Sequence, residues 1–204
     1  MASTTGRDTR QVLLGAAAEE FARHGLQGAR VHEIVRRADV NERMIYHHFG
    51  SKQGLYRAVL EDQWLGGLGS WEPELKEAAS LGPQQGLRMV LERLFEHTLV
   101  ERPLFARLAL QDALNEWDGV PQVSLSQIPE GLGELYRRGQ EEGVLRADCD
   151  FETFYLSALG ALAGIGIIGP RFSDIRERAK RDPDYMVQLR DRTLSLLFEG
   201  VTTR

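Results

Sequence analysis

The stretch ARVHEIVRRADVNERMIYHHFGSK, residues 29–52, decides the fold of this chain. Its apolar residues fall at helical spacing in two groups, first Val31, Ile34, Val35 and Ala38, then Ile45 and Phe49. The two groups are separated by a break at residues 39–41. Two short helices joined by a tight turn form a helix-turn-helix, whose second helix enters the major groove of DNA. The stretch therefore predicts such a motif at about residues 30–49.

The composition is that of a globular protein with a substantial core. The chain has 204 residues, 42% of them hydrophobic, enough for one large domain or two small ones. The single cysteine, Cys149, cannot form an internal disulfide, so we expect a cytoplasmic location. The N-terminus lacks the pattern of a signal peptide. The longest apolar run, about residues 161–168, is broken by glycine and too short for a membrane span, and we expect no membrane partner.

Positive charge is concentrated at the N-terminal end of the chain. The net charge of −5 by itself argues against a nucleic-acid partner. Residues 1–57, however, hold nine Lys/Arg against six Asp/Glu, a net +3, while the remaining residues hold 16 against 24, a net −8. For DNA binding the position of the positive charge matters more than the sum. A basic head on an acidic body is able to present one face to phosphate.

The rest of the chain is also expected to be helical. About nine helices are predicted, with N-caps at Asp8, Asn41, Ser51 and Asp150 and helix ends at Gly25, Gly50 and Gly143. No segment alternates with the period of a strand. We predict an all-α fold with an N-terminal three-helix helix-turn-helix head, residues 1–52, and a larger helical bundle body, residues 53–204. The charge-rich residues 171–182 are expected to be exposed.

Three segments carry a family resemblance, namely FARHG at 21–25, HEIVRRADV at 32–40 and MIYHHFGSKQGLYRAVL at 44–60. Over about the first sixty residues they resemble the TetR family of transcriptional regulators. The resemblance implies a DNA-binding head and an effector-binding, dimerising body, although the later region matches that family only in its helical pattern. Asp39 and Met44 depart from the family, which commonly has a turn glycine and a small hydroxyl residue there.

The N-terminal end of the third helix is the end that reaches base edges in helix-turn-helix proteins. Arg43 is suited to donate two hydrogen bonds to guanine, and also to a phosphate contact or an ion pair near Glu42. Glu42 is suited to accept from cytosine or to orient Arg43, and Met44 offers apolar contact to a thymine methyl group. Arg30 and His32 begin the second helix beside the expected path of the DNA backbone.

Further DNA contacts are expected along the same surface. Tyr46 has a hydroxyl suited to phosphate, as the resemblance also implies, although its ring could instead pack on a neighbouring helix. His47 and His48 match positions at which members of that family contact DNA. Lys52, at a helix start, forms an anion site and matches the family's phosphate clamp, with a solvated lysine as the alternative. The predicted DNA-binding set is Arg30, His32, Glu42, Arg43, Met44, Tyr46, His47, His48 and Lys52.

The body is expected to form a homodimer and a ligand pocket. Two heads about 34–36 Å apart read a palindrome, and the last two helices are the predicted interface. The helix at residues 151–168 is apolar nearly all round, and Gly160 and Gly164 permit close helix approach, although intrachain core is the alternative. A sensor pocket is mostly apolar with a few polar anchors. Candidates, whose aromatic members could instead be core, are Trp64, Phe95, His97, Asp112, Trp117 and Tyr155.

The sequence favours a DNA-binding transcriptional regulator, a repressor that binds a palindromic operator in double-stranded DNA and is released by a small-molecule effector. The alternatives are an effector-dependent activator, a sequence-tolerant DNA-binding protein and a helical enzyme. Against an enzyme, Ser124 and Ser126 lie in a loop without a nucleophile-elbow motif, and no glycine-rich phosphate loop follows a strand. No metal-ligand spacing is present, and we predict neither metal nor cofactor. A sequence-tolerant binder requires a more basic chain.

Overall fold

A computed structural model describes residues 3–68, 72–116, 119 and 130–203, with side chains for 9–63, 72–116, 119 and 131–203. Within these ranges lie eleven α-helices: α1 Ser3–Gly28, α2 Val31–Ala38, α3 Arg43–Phe49, α4 Lys52–Leu68, α5 Glu72–Ala79, α6 Pro83–Phe95, α7 Phe105–Leu114, α8 Glu130–Glu141, α9 Phe151–Ile167, α10 Ser173–Arg181 and α11 Tyr185–Val201. A π-helical turn, Glu96–Val100, continues α6, and a 3-10 turn, Gly169–Arg171, follows α9. The described ranges hold one isolated bridge, between Leu145 and Thr202, and no strand, so the predicted all-α fold is confirmed.

The chain forms two compact units. The head unit comprises residues 1–69 and 102–122, and the body unit comprises residues 70–101 and 123–204. The head unit extends beyond residue 52 because α4 and α7 both pack on α1. The functional division at residues 52 and 53 stays a prediction.

The head unit is held together by apolar faces at helical spacing. In α1 the buried residues include Leu13, Ala17 and Phe21, and the ring of Phe21 meets that of Tyr56 edge-on at 5.0 Å. Ile34 of α2 and Ile45 of α3 are completely buried in the same core. Each such side chain stabilises the fold by about 1.5–3 kcal/mol relative to an exposed one. Burial of Ile45 fixes the rotation of α3 about its own axis.

Turn chemistry places the short helices. Asp39 adopts the left-handed conformation (φ 52°, ψ 45°) that ends α2, so aspartate serves where the related family commonly has glycine. Asn41 accepts the backbone N–H of Arg43 at 2.9 Å, and Ser51 accepts that of Gly54 at 2.9 Å. The predicted cap of α4 is thus formed, whereas the N-cap position of α3 is Glu42, without a side-chain cap, and Asn41 makes its bond from one residue earlier.

The start of α1 differs from the prediction. The helix begins at Ser3 rather than at the capping box of Asp8, because a capping sequence favours a start without preventing a helix before it. The predicted end at Gly25 is present as a kink, with φ 63° and ψ −179°, and the helical segment resumes to Gly28.

The body unit surrounds a core to which α6, α8, α9 and α11 all contribute. In α9 one face is buried at helical spacing by Phe154, Ala158, Leu162 and Ile165. Asp150 caps this helix as predicted, accepting the Thr153 backbone N–H at 2.7 Å. By length and composition the segment Phe151–Arg171 is able to cross a membrane, contrary to the prediction, and 22% of its most apolar 18-residue stretch is buried.

Two helices were absent from the predicted nine. α5 is only eight residues long, and α10 buries none of its residues. A helix without a buried face has no apolar stripe for periodicity to reveal. The prediction that residues 171–182 are exposed agrees with the structure, since all but three of them, Ile175, Ala179 and Asp182, are exposed and those three are half-buried.

Candidate nucleic-acid interface

The outer face of α3 is formed by Arg43, Tyr46 and His47. All three side chains are exposed, and the Tyr46 ring is 52% exposed although it is large and partly apolar. Ile45, on the opposite side of the helix, is fully buried. The α3 helix therefore rests on the head core with its predicted DNA-contacting edge turned toward solvent, the arrangement that major-groove binding requires.

Arg43 is an exposed hydrogen-bond donor on this face. Its backbone N–H is held by Asn41, while its guanidinium makes no hydrogen bond or ion pair with the residues that the structure describes. All five guanidinium N–H donors are thus available to a base edge or a phosphate. Glu42 makes no hydrogen bond or ion pair with Arg43 within the described residues, so its proposed role in orienting Arg43 has no contact to support it. It accepts the Tyr46 hydroxyl at 3.3 Å, because residues four apart share one side of a helix.

Met44 and His48 are turned partly inward. Both side chains are half-buried, Met44 packs against the head core, and the His48 ring meets His47 at 4.9 Å and Phe49 at 6.0 Å. The Nε2 atom of His48 is buried without a hydrogen-bond partner in the described part of the chain. Their DNA contacts stay predictions, with less exposed surface to support them than the outer face of α3 has.

The start of α2 exposes two further basic residues of the predicted set, Arg30 and His32. Arg30 is exposed and its side chain forms no cap, as expected of arginine at that position. His32 pairs with Glu33 at 2.9 Å, and Glu33 also binds Arg36 at 2.6 Å. The hydrogen bond from Arg36 lowers the pKa of the Glu33 carboxyl below its ordinary value. Arg30 thus remains the available charge at this helix start, while His32 is engaged with a carboxylate.

Lys52 opens α4 but its side chain is half-buried. The ammonium Nζ donates to the backbone carbonyl of Gln27 at 3.3 Å. Ser51 caps the helix, and a Cβ at Gly54 would approach the Phe49 carbonyl oxygen to 2.0 Å. Glycine at position 54 is therefore required where α4 starts against the end of α3. The phosphate clamp at Lys52 stays a prediction, and the amine must leave the Gln27 carbonyl to make it.

Two residues that sequence reasoning missed support this surface. Glu20 is 4% exposed and its carboxylate accepts the backbone N–H of Arg30 at 3.2 Å. Glu20 lies three and four residues after the buried Ala17 and Ala16, and this helical spacing in the sequence places it on the buried side of α1. Arg10 lies over the Phe49 ring at 5.4 Å, an exposed cation beside the end of α3. No sequence pattern links positions so far apart.

The predicted pocket residues belong to both units, and each is described in its own surroundings. Asp112 belongs to the head unit, where it is buried and accepts the Gly119 backbone N–H at 3.0 Å. Phe95 and Tyr155 pack in or against the body core, and burial raises the pKa of Tyr155. His97, in the π-helical turn, contacts Glu101 at 2.9 Å. The side chains of Trp64 and Trp117 lie outside the described residues, as do Ser124 and Ser126.

The arrangement defines the class of protein: an all-α helix-turn-helix DNA-binding protein with a helical second unit. Residues 13–59 match the family model described as bacterial regulatory proteins, tetR family, and residues 83–196 match the tetracyclin repressor-like C-terminal domain. The second match spans more than half of the chain. The chain belongs to the TetR family, and it is a DNA-binding transcriptional regulator.

Named relatives agree with this assignment. The transcriptional repressor SCO4008 of Streptomyces coelicolor is 40% identical over 184 residues, 86% of each chain. The repressor NicS of Pseudomonas putida is 29% identical over 156 residues, covering 72% of this chain and 71% of NicS. Among solved structures, a TetR family transcription regulator from Marinobacter aquaeolei has a TM-score of 0.67 at 16% identity and covers 97% of each chain, which supports the fold.

Proposed function

We propose that this protein is a transcriptional repressor that binds a palindromic operator as a homodimer and is released by a small-molecule effector. The observation that carries the proposal is the exposed outer face of α3, where the Arg43 guanidinium, beside Tyr46 and His47, has no partner among the described residues. Repression is favoured over activation because the relatives SCO4008 and NicS are both named repressors. Such a protein acts where the chromosome is, so its location is the cytoplasm.

The dimer proposal rests on the outer surface of α9 and α11. Leu156 of α9 is 55% exposed and Leu196 of α11 is 71% exposed, and the two helices pack on each other. A Cβ at Gly160 or Gly164 would meet nothing within 4 Å in the same chain, so intrachain packing does not require glycine at either position. Exposed apolar surface with small residues is typical of a helix–helix interface. A second copy is the occupant that two-headed DNA binding demands.

The competing functions make different demands. A helical enzyme would turn over a small molecule, which an activity panel measures directly. A sequence-tolerant binder would show equal affinity for random duplexes. An activator would bind its operator more tightly with its effector, so the sign of the effector's influence on operator affinity separates it from a repressor.

The test begins with selection of duplexes from a random library by the full chain, followed by binding measurements on the selected operator. Arg43→Ala is expected to weaken operator binding by about 5- to 150-fold and to relax preference at one base pair in each half-site, since a bidentate contact contributes about 1–3 kcal/mol of discrimination.

Arg36→Ala is the matched control, because Arg36 is exposed in the same unit but already paired with Glu33. Its operator affinity is expected within about two-fold of the parent, as for a surface ion pair. Recovery of no preferred sequence, or equal losses in the two variants, would refute the assignment of α3 as the reading element.

A further inference from the structure

We propose that the head unit contains a binding site for a small organic monocarboxylate, in a cavity beside Lys52, and that its occupant competes with DNA for the Lys52 ammonium. The existence of the site does not depend on the function proposed above, but its influence on DNA binding rests on that function. Of the residues predicted for an effector pocket, Asp112 adjoins this site, because its carboxylate accepts the backbone N–H of Gly119 in the cavity wall.

The cavity has a volume of about 480 Å³ and lies within the head unit. Its walls come from the C-terminal end of α1, the first turns of α4 and the residues that end and follow α7. Cavities of about 300–1,000 Å³ hold small organic ligands in proteins. The size therefore suits a molecule with one or two rings or a short acyl chain.

Lys52 supplies a positive charge at the wall of this cavity. Its Nζ makes one long hydrogen bond, 3.3 Å to the Gln27 carbonyl, and no ion pair within the described residues. An ammonium group has three donors, so two remain available to an acceptor. A carboxylate is the acceptor that gains most, because a hydrogen bond between two charged groups is stronger than a neutral one.

Tyr56 supplies a second donor one helical turn from Lys52. The residue lines the cavity and is 1% exposed, and its hydroxyl makes no hydrogen bond of normal length with the described residues. Burial raises the pKa of this phenol, an effect that the nearby Asn115 side chain opposes, so the hydroxyl is protonated at neutral pH. A carboxylate oxygen would give this buried hydroxyl a charged acceptor, which is a stronger partner than the neutral Asn115 side chain.

The remaining walls select the rest of the ligand. Leu114 is 80% exposed at the end of α7, and Leu26 is half-buried beside it in the lining. These side chains favour an apolar body on the ligand. Glu116, which also lines the cavity, disfavours a second negative charge. The chemistry therefore matches a single carboxylate attached to an apolar group.

Occupancy of the cavity would remove a cation from the DNA-binding surface. A carboxylate held by Lys52 neutralises the charge that a phosphate would otherwise meet, so ligand and DNA oppose each other. The coupling is reciprocal: the ligand weakens DNA binding by the same factor as DNA weakens ligand binding.

The site is tested with 2-naphthoate as the probe and its neutral analogue 2-naphthamide, by calorimetric titration into the full chain without DNA. Naphthoate is expected to bind at least ten-fold more tightly than naphthamide. Leu114→Trp, which places a large ring in the cavity mouth, is expected to weaken naphthoate binding at least ten-fold. Tyr56→Phe is expected to weaken naphthoate binding several-fold.

The matched control is Leu110→Trp, on the same helix but outside the cavity, with a side chain 45% exposed in the parent. It is expected to bind naphthoate as the parent does. Absence of naphthoate binding, unchanged binding in Leu114→Trp, or equal binding of naphthamide each overturns the proposal.

A second arm measures the affinity for the selected operator with and without saturating naphthoate. The operator Kd is expected to rise several-fold in the parent and in Leu110→Trp, and to stay unchanged in Leu114→Trp. Naphthoate binding that leaves operator affinity unchanged overturns the competition at Lys52. A chain that binds naphthoate but no DNA sequence contradicts the repressor function and leaves the cavity site intact.

Discussion

Arg43 and Ile45 stand two residues apart in α3 and take opposite positions. Successive helical residues project about 100° apart, so complete burial of Ile45 in the head core turns Arg43 to solvent. The same relation turns Met44 and His48 partly inward, which is why the nine predicted DNA-binding residues are unequally accessible. Exposure of a recognition residue is thus set by the burial of its neighbours.

A residue-scale prediction concerns Glu20, whose buried carboxylate holds the Arg30 backbone N–H. Glu20→Ala would leave that donor without its partner, and we expect the free energy of unfolding to fall by about 1–3 kcal/mol. Urea denaturation measures the change, with an unaltered slope against denaturant concentration.

Glu19→Ala is the matched control for Glu20. The Glu19 side chain is 47% exposed and pairs with Arg23 and Arg37 at the surface, so its loss is expected to cost about 0–1 kcal/mol. A smaller effect for Glu20→Ala than for Glu19→Ala would show that the buried contact does not support the start of α2.

At the scale of elements, caps and breaks determine where helices begin and end. Asp39, Asn41 and Ser51 act within the helix-turn-helix, and Asp150 starts the apolar helix α9. A cap acts through one side chain and the backbone beside it, and so it can be recognised from a few consecutive residues. Helices α5 and α10 have no comparable signal, since their polar sequences bury little.

The cap of α9 leads to a pH prediction. The Thr153 backbone N–H, followed by its hydroxyl, lowers the pKa of Asp150 in the folded chain. The cap therefore stabilises the fold fully above the unfolded pKa of about 3.9, and this contribution is lost as the pH falls through the lower folded pKa. Asp150→Ala is expected to lower the thermal midpoint at pH 7, with a difference that shrinks below about pH 4.

Asp150→Asn serves as the control, because asparagine caps a helix without titrating. It is expected to keep most of the parent's midpoint at pH 7 and to lack this pH-dependent contribution. A difference between parent and Asp150→Ala that is constant from pH 3 to pH 7 would show that the carboxylate does not act as the cap.

On the scale of the whole molecule, apolar surface remains uncovered in the single chain. Leu156 and Leu196 are exposed on neighbouring helices, and the most apolar 18-residue stretch of Phe151–Arg171 has a mean hydropathy of 1.6 and is 22% buried. The body core accounts for one face of α9 only. The outer face is the surface on which the proposed homodimer depends.

Dimer formation is tested by Leu156→Glu combined with Leu196→Glu, which would place a carboxylate on each of the two helices of the interface. Light scattering is expected to report a monomer, and operator affinity is expected to fall because two half-sites are then read independently. Leu110→Glu, an equally drastic change at an exposed leucine of the head unit, should remain dimeric. A parent chain that is monomeric at the concentrations where it binds operator would contradict the proposal.

Local patterns in the sequence determined the all-α fold, the helix-turn-helix and the caps of its helices. The helical spacing of the apolar residues around Ile34 and around Ile45 depends on a few consecutive positions. The same is true of the turn residues Asn41 and Ser51. Such features can therefore be recognised from the sequence alone. The family resemblance over the first sixty residues rests on the same local features.

Only the tertiary structure decided which groups are free and which are engaged. Three such contacts join residues that are far apart in the chain. Lys52 donates to the Gln27 carbonyl, and Arg10 lies over the Phe49 ring. The buried Glu20 carboxylate accepts the Arg30 backbone N–H. The cavity beside Lys52 likewise depends on α7 packing on α1 and α4. Contacts of this kind follow from the packing of whole helices, and no short-range spacing in the chain encodes them.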